Sequence, residues 1–163
     1  MTYLLDANVF IQAKNQYYGF DIVPAFWDWL IAANGAGTVF SVEKVGDELL
    51  GYGDELSDWA KARVKAGGFF LQPDNAVLNA LKGLAQWAQG QTFTEAATNE
   101  FLQAADYYLV AHAYAHGHVA VSQEIFEPGM TKRIKIPNAC NGMGVQWMNT
   151  YTMLRTEGAK FVM

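Results

Sequence analysis

The sequence lacks the features of a secreted or membrane protein. Its single cysteine, Cys140, allows no disulfide within the chain, which fits a reducing compartment such as the cytoplasm. The first predicted strand begins two residues after Met1, so we expect no signal peptide. The uncharged run from Tyr107 to Gln123 contains Gly117 and three histidines and is too polar to span a bilayer. We therefore expect a cytoplasmic protein that does not associate with membranes.

Charged residues are also scarce. They make up 17% of the chain, and 11 basic residues against 16 acidic ones give a net charge of −5. This balance argues against a broad basic face for nucleic acid, although it permits a local basic strip and bound cations. The apolar share of 52% is enough for one core, so we expect a single domain over residues 1–163. A weakly charged surface also favours a partner or a homo-oligomer that covers part of it.

Short apolar strands alternate with helices along the chain. Strands are expected at 3–5, 38–40, 69–71, 119–121 and 134–136. Helices are expected at 9–16, about 22–33, about 42–50, 54–65, about 73–89, 95 or 99 to 116, and 137–155, with a break near Gly142 to Gly144 as the alternative for the last. Asn8 and Ser41 are expected to cap the helices that follow them. This alternation predicts a three-layer α/β/α sandwich with a central, mainly parallel sheet, and a helical tail from about 137 to 163 packed on it.

Four carboxylates stand near the predicted strand ends. Asp6 follows the first strand directly, and Glu124 closely follows the strand at 119–121. Glu48 lies two turns into the helix after the second strand, and Asp106 lies in a helix among apolar neighbours. Because the carboxyl ends of adjacent parallel strands meet in one crevice, we expect these acids to converge. Converging carboxylates repel one another unless a cation neutralises them, and oxygen ligands suit Mg²⁺ or Mn²⁺. Solvent-facing acids on a generally acidic helix are the alternative explanation.

The segment from Tyr3 to Ile11 resembles the opening of PIN domains, in which apolar residues precede Asp, one variable residue, and Asn or Ser. Three later segments resemble the other PIN motifs in the same order: Ser41 to Leu49, Asp106 to Ala113, and Val119 to Glu124. The motifs cover about residues 3 to 126, most of the chain. The tryptophans after Phe26 and the long tail are similar to a poorly characterised bacterial PIN-like subgroup. The resemblance implies a PIN-like sandwich and a metal-dependent ribonuclease.

The resemblance also implies roles for individual residues. Four acids would be catalytic and would bind one or two Mg²⁺ or Mn²⁺ ions: Asp6, Glu48, Asp106 and Glu124. Asn8 and Ser122 would support these ligands or contact substrate. A metal-activated water would attack a phosphodiester of single-stranded RNA. Because many small bacterial PIN proteins are toxins of toxin–antitoxin pairs, an antitoxin is an implied partner. Glu124 departs from the pattern, since many PIN domains carry the shorter Asp there.

One basic run stands out, from Thr131 to Lys135. It contains Lys132 and Arg133 and closely follows Glu124, so it could hold a substrate phosphate beside the metals. The alternative is a charged edge strand that discourages pairing with another chain.

Histidines and tryptophans offer further candidates. His112 and His116 have a spacing that can bind zinc. Helical periodicity places His112 about 120° around the helix from Asp106, so the two residues are not expected to share a metal ion. Partly buried, hydrogen-bonded histidines are the alternative to a zinc site. Trp27 is expected in the core. Trp29 and Trp59 are expected to be exposed, where they would stack on bases or meet a protein.

Two other functions fit the same residues. A non-catalytic PIN-fold module that binds RNA or protein would suit the negative charge and the longer Glu124. An aspartyl-phosphate phosphotransferase would use Asp6 as its nucleophile. Such enzymes usually carry a second Asp where this chain has Asn8.

Overall fold

The computed structural model describes all 163 residues and shows a five-stranded parallel sheet flanked by helices. The strands are β1 (Tyr3–Leu5), β2 (Val39–Val42), β3 (Phe70–Leu71), β4 (Val119–Val121) and β5 (Trp147–Met148). The helices are α1 (Ala7–Gln12), α2 (Pro24–Gly35), α3 (Glu43–Leu50), α4 (Glu55–Ala66), α5 (Asn75–Gln89), α6 (Glu95–Gln103), α7 (Ala105–His116), α8 (Ile136–Met143) and α9 (Thr150–Thr156). A π-helical turn, Ala13–Tyr17, extends α1. The predicted α/β class is confirmed. No helix combines the length and apolar character needed to cross a bilayer.

The strand order β3-β2-β1-β4-β5 places β1 at the centre of the sheet. From β1 the chain builds outward through β2 and β3, and then returns to the other side of β1 to add β4 and β5. This reversal leaves a crevice outside the carboxyl ends of β1 and β4, where open α/β sheets bind ligands. All three residues of β1 are fully buried, as their unbroken apolar run predicts.

Backbone and side-chain hydrogen bonds fix the carboxyl end of β1 on both sides. The Asp6 N–H donates to the carbonyl of Val121 at 2.9 Å, which extends the ladder with β4. On the other side, the buried Ser41 hydroxyl donates to the carbonyl of Leu5 at 2.6 Å. Asp6 therefore leaves the sheet from a firmly held position.

Both predicted helix caps are wrong. Asn8 lies inside α1, because the residue that precedes this helix is Asp6. Ser41 lies inside β2, and Val42 is the residue that precedes α3. The Ser41 hydroxyl is engaged by the sheet, as described above, and is not used as a cap.

The C-terminal region lacks the predicted strand, and its helical stretch is broken near 142–144, the alternative that the sequence offered, because α8 ends at Met143. The predicted strand at 134–136 is wrong, because Ile136 begins α8 with Pro137 in its first turn. Proline suits that position since its missing N–H would have no partner there. The edge strand is β5, whose Trp147 and Met148 pair in parallel with β4. This strand divides the helix predicted over 137–155 into α8 and α9.

The helix predicted to end at His116 is also two helices. Ala104 has extended backbone angles, φ −90° and ψ 157°, and separates α6 from α7. Asp106 therefore lies in the first turn of α7 and not in a helix interior. The positive end of a helix dipole favours a carboxylate at this position.

The tryptophans take mostly structural positions. Trp27 is 2% exposed, which confirms its place in the core. Trp59 is only half-exposed and packs against the rings of Phe10 and Phe69, and Trp29 also packs on the core. Their predicted free exposure is therefore wrong, since the apolar rings complete the core.

Candidate active site

A cleft of about 460 Å³ opens at the carboxyl end of β1. Asp6 lies at its floor, Asp106 enters from the first turn of α7, and Glu48 reaches it from the exposed face of α3. Asn8, in the first turn of α1, also lines the cleft. The structure thus brings three of the four predicted acids to one cavity, at the crevice that the strand order creates.

Ser122 connects Asp6 to the loop that carries Glu124. Its hydroxyl donates to Oδ2 of Asp6 at 3.1 Å, and its oxygen accepts from the Glu124 N–H at 3.1 Å. Asp6 is 2% exposed and Ser122 is fully buried, so water does not compete for this hydrogen bond. The residue that follows β4 therefore orients the acid that follows β1.

The carboxylates affect one another's protonation. Burial raises the pKa of Asp6 well above its ordinary value, and the charges of Asp106 and Glu124 raise it further. The Ser122 hydrogen bond acts in the opposite direction. Burial, followed by repulsion from Glu124, raises the pKa of Asp106 to about 7. Burial also raises the pKa values of Glu48 and Glu124.

Glu124 borders this group with little neutralisation. Its side chain is 6% exposed, and neither carboxylate oxygen makes a hydrogen bond of good geometry. Arg133 Nη2 lies 3.5 Å from Oε2. Burial raises the pKa of Glu124 more than Arg133, the Ile136 N–H and Lys135 lower it. A buried carboxylate with such weak partners is costly, so a further cation would stabilise Glu124.

The donor chemistry of the cleft suits a hard divalent cation. Oxygen atoms are the ligands that Mg²⁺ and Mn²⁺ prefer, and the unpartnered Glu124 oxygens are available to one. No three His, Cys, Asp or Glu side chains are already arranged to hold an ion, so the coordination shell is not preformed. The oxygen donors therefore suit such an ion in kind, although they are not arranged as a complete coordination shell.

The residues of the basic run at 131–135 lie in different surroundings. Arg133 lines the cleft, whereas Lys132 is exposed and does not. Lys135 forms an ion pair with Glu127 outside the cleft. Of the two cations predicted to hold substrate, only Arg133 is therefore placed beside the acids.

Sequence reasoning missed Lys44, Glu100 and Gln103, which also line the cleft. The Lys44 Nζ lies 5.3 Å from the centre of the Tyr108 ring, near the first turn of α7. Lys44 precedes Glu48 by one helical turn, so the i, i+4 spacing could have placed it on the same face.

The histidines lie elsewhere. Nε2 of His116 contacts Oδ2 of Asp74 at 2.8 Å, near the start of α5. His112 is buried and its Nε2 has no hydrogen-bond partner, so the expected hydrogen-bonded pair is only half present. Burial lowers the pKa of His112 to about 4, and the ring is neutral at physiological pH.

The parallel sheet, its order and the acidic cleft at its centre define a PIN-like α/β protein. The chain belongs to the family described as a domain of unknown function, DUF4411, which it matches over residues 3–161. No curated protein matches it.

Two solved structures share its fold. The first is the crystal structure of FitAcB from Neisseria gonorrhoeae, with 20% identity and a TM-score of 0.55 over 92% of this chain and 99% of that chain. The second is FitAB bound to the IR36 DNA fragment, with 19% identity and a TM-score of 0.55 over 91% and 94% of the two chains. At these identities the similarity shows the fold alone, and it confirms the predicted PIN-like architecture.

Proposed function

We propose that this protein is a PIN-type, metal-dependent endoribonuclease that cleaves single-stranded RNA. The observation that carries the proposal is the position of Asp6, buried between β1 and β4, held by Ser122, and repelled by Asp106 and Glu124. Such a cluster raises the free energy of the folded chain when no cation is bound. Strongly perturbed carboxyl groups gathered at a cleft are typical of a functional site.

Each group around the cleft has a role in this proposal. One or two Mg²⁺ or Mn²⁺ ions would be held by Asp6, Glu48, Asp106 and Glu124. A bound ion would activate water for attack on a phosphodiester. Ser122 keeps the Asp6 carboxylate in its orientation, and Asn8 offers an amide at the cleft surface. Arg133 and Lys44, which both line the cleft, would hold substrate phosphates.

The small number of cations favours a single strand as substrate. Arg133 and Lys44 are the only basic residues that line the cleft. They suit one or two phosphates, whereas a duplex would need a broader basic face, which a net charge of −5 does not favour.

We further propose that the nuclease is the toxin of a toxin–antitoxin pair and acts in the cytoplasm. The support is the fold shared with FitAcB and FitAB and the resemblance to small bacterial PIN proteins. A small DNA-binding protein encoded next to this chain, which copurifies with it and inhibits cleavage, is the expected partner. A neighbouring protein that neither binds nor inhibits would contradict this part of the proposal.

The main test combines cleavage with metal binding. Asp6→Asn keeps the shape of the side chain and removes its charge, so we expect Mg²⁺- or Mn²⁺-dependent cleavage to fall by on the order of 100-fold or more. The matched control is Asp28→Asn, since Asp28 is exposed on α2 and lies outside the cleft. Undiminished cleavage by a clean preparation of Asp6→Asn would overturn the catalytic assignment.

Metal binding separates the enzyme from the non-catalytic module. At about 100 times its dissociation constant, Mn²⁺ is expected to stabilise the wild type by about 2.7 kcal/mol in thermal unfolding. Asp6→Asn is expected to lose this stabilisation and Asp28→Asn to keep it. A wild type that binds RNA, does not cleave it and gains no stability from Mn²⁺ would favour the non-catalytic binding module. The absence of a preformed coordination shell also suits that module.

A further inference from the structure

A second cavity of about 390 Å³ is lined by Glu124, whose carboxylate lies 3.5 Å from Arg133 of the cleft. Its walls come from the end of α1, the loop after β4, and the β5–α9 segment. Glu124 lines this cavity, while its charge acts on Asp6 and Asp106 in the cleft. The two cavities are therefore adjacent at the carboxyl edge of the sheet, with one predicted metal ligand between them. We call this second cavity the aromatic pocket; it is lined by Gln12, Tyr17, Gln123, Glu124, Ile125, Trp147, Asn149 and Tyr151.

Three aromatic rings form the apolar part of the aromatic pocket. Tyr17 and Tyr151 meet edge to face, with ring centres 5.5 Å apart and an interplanar angle of 82°. Trp147 is held in place because its indole N–H donates to Asn141 Oδ1 at 2.9 Å. Tyr17 nevertheless remains 46% exposed, so its ring is available to a ligand. Flat apolar walls of this kind are suited to stacking on another planar ring.

The polar part of the aromatic pocket consists of amide side chains with free hydrogen-bonding groups. Asn149 Oδ1 accepts from the Thr152 N–H, which leaves its amide N–H₂ without a protein partner. Gln123 Oε1 accepts a long hydrogen bond from the Thr150 N–H at 3.4 Å, and its N–H₂ is also free. Gln12 makes no side-chain hydrogen bond and can both donate and accept. Amides that donate and accept match the edges of nucleobases.

No lysine or arginine lines the aromatic pocket, and its only charged side chain is Glu124. A phosphate would be repelled there, whereas an uncharged planar group would not. The cationic residues Arg133 and Lys44 lie instead on the cleft side of Glu124. The surface therefore separates phosphate-binding chemistry on one side from base-binding chemistry on the other.

We infer that the aromatic pocket binds an unpaired nucleobase next to the phosphodiester that enters the cleft. The inference rests on the proposed ribonuclease function and adds a specificity site to it. A base between the tyrosine rings and Trp147 would be read by the amides of Gln12 and Asn149. Stacking accepts any base, so the amides would decide which base is preferred.

The direct test needs no cleavage. Free nucleosides are titrated into the ¹⁵N-labelled full chain, and the indole N–H of Trp147 and the side-chain amides of Gln12 and Asn149 are followed by NMR. Saturable shifts with nucleosides, and none with ribose 5-phosphate or inorganic phosphate, are the expected result. Shifts with ribose 5-phosphate alone, or no shifts with any nucleoside, would overturn the inference.

Matched tyrosine variants sharpen the test. Tyr17→Leu removes the ring but keeps an apolar side chain, and is expected to weaken nucleoside binding about 5- to 150-fold, the range for one stacked base. Tyr52→Leu is the control, because Tyr52 is 51% exposed and lies outside the aromatic pocket. Equal affinity in both variants would overturn the inference.

RNA then separates this inference from the proposed function. An oligoribonucleotide with one abasic position is expected to raise KM for the wild type, and to change it little for Tyr17→Leu, whose stacking ring is already absent. Metal-dependent cleavage with no effect of Tyr17→Leu on nucleoside binding or KM would leave the nuclease and remove the base site. Nucleoside binding without any cleavage would keep the base site and remove the nuclease.

A peptide from a partner protein that shifts the Trp147 signal where nucleosides do not would assign the aromatic pocket to that partner and overturn the inference.

Discussion

The hydroxyl of Ser122 donates to the Asp6 carboxylate at 3.1 Å, although the two residues are 116 positions apart in the chain. The contact joins the ends of β1 and β4, which are neighbours in the sheet. The chain places β2 and β3 on one side of β1 and then β4 and β5 on the other. Both side chains are buried, so the orientation of Asp6 depends on Ser122 and not on solvent.

Ser122→Ala is expected to lower cleavage by about 10-fold or more, since a hydrogen bond to a charged group contributes about 1.5–3 kcal/mol. The variant also removes an interaction that lowers the pKa of Asp6, so the acid limb of the pH–rate profile should move to higher pH. Ser57→Ala is the matched control, because Ser57 is equally buried and its hydroxyl donates to the Leu50 carbonyl, away from the acid cluster. If both variants lose stability but neither moves the profile, Ser122 has no role in positioning Asp6.

The stability of the metal-free protein is expected to fall as pH rises from about 4 to about 7. The pKa of Asp106 is near its ordinary 3.8 in the unfolded chain and about 7 in the folded one. Between these values the folded state binds more protons than the unfolded state, so raising the pH favours unfolding. Chemical denaturation in the presence of a chelator should show a loss on the order of a few kcal/mol. Asp106→Asn should reduce this loss, and the remainder belongs to Asp6, Glu48 and Glu124, whose pKa values are also raised. A stability that is flat or rises over this window in the wild type would contradict the prediction.

Arg133→Ala is expected to weaken RNA binding more than Lys132→Ala. Only Arg133 lines the cleft, although the two residues are neighbours in the same basic run. Losing one phosphate contact to a single strand should flatten the plot of log affinity against log salt by about 0.7. Fluorescence anisotropy over a range of salt concentrations measures this slope. Equal effects of the two variants would assign the run to a general electrostatic role.

Two glycines test the packing of α5 against α8. A Cβ at Gly142 would overlap the Trp87 indole ring, so Gly142→Ala should destabilise the fold by about 1–3 kcal/mol. A Cβ at Gly83 would meet nothing within 4 Å, so Gly83→Ala should stabilise α5 by about 0.5–1 kcal/mol. Chemical denaturation compares the two. Similar small effects in both would show that the α5–α8 contact is loose in solution.

Asp6 and the central strands could be predicted from the sequence because their signals are local. An unbroken apolar run that ends abruptly on Asp6 identifies both β1 and the acid at its end. The apolar neighbours of Asp106 also pointed to it, whereas Glu48 lies in a generally acidic segment and was indicated by the resemblance to the second PIN motif. The structure places both with Asp6 at one cleft.

The rest could not be predicted because its causes lie in partner segments. The two-residue strand β5 has no periodicity of its own, and only its pairing with β4 makes it a strand. The break at Ala104 occurs in an alanine-rich segment without proline or glycine, so nothing local marks it. The aromatic pocket combines Tyr17 with Trp147 and Tyr151, which no spacing along the chain brings together.

The break at Ala104 also has a consequence for how the cleft can vary. Within a continuous helix, each inserted or deleted residue rotates everything beyond it by about 100°. One wall of the cleft is formed by α6, through Glu100 and Gln103, whereas Asp106 lies in α7. Ala104 is extended, so a rotation of α6 is not passed on to α7. Changes of length or sequence in α6 therefore do not turn Asp106 away from Asp6. The α6 wall of the cleft can therefore change in length or sequence while the Asp106 carboxylate keeps its place.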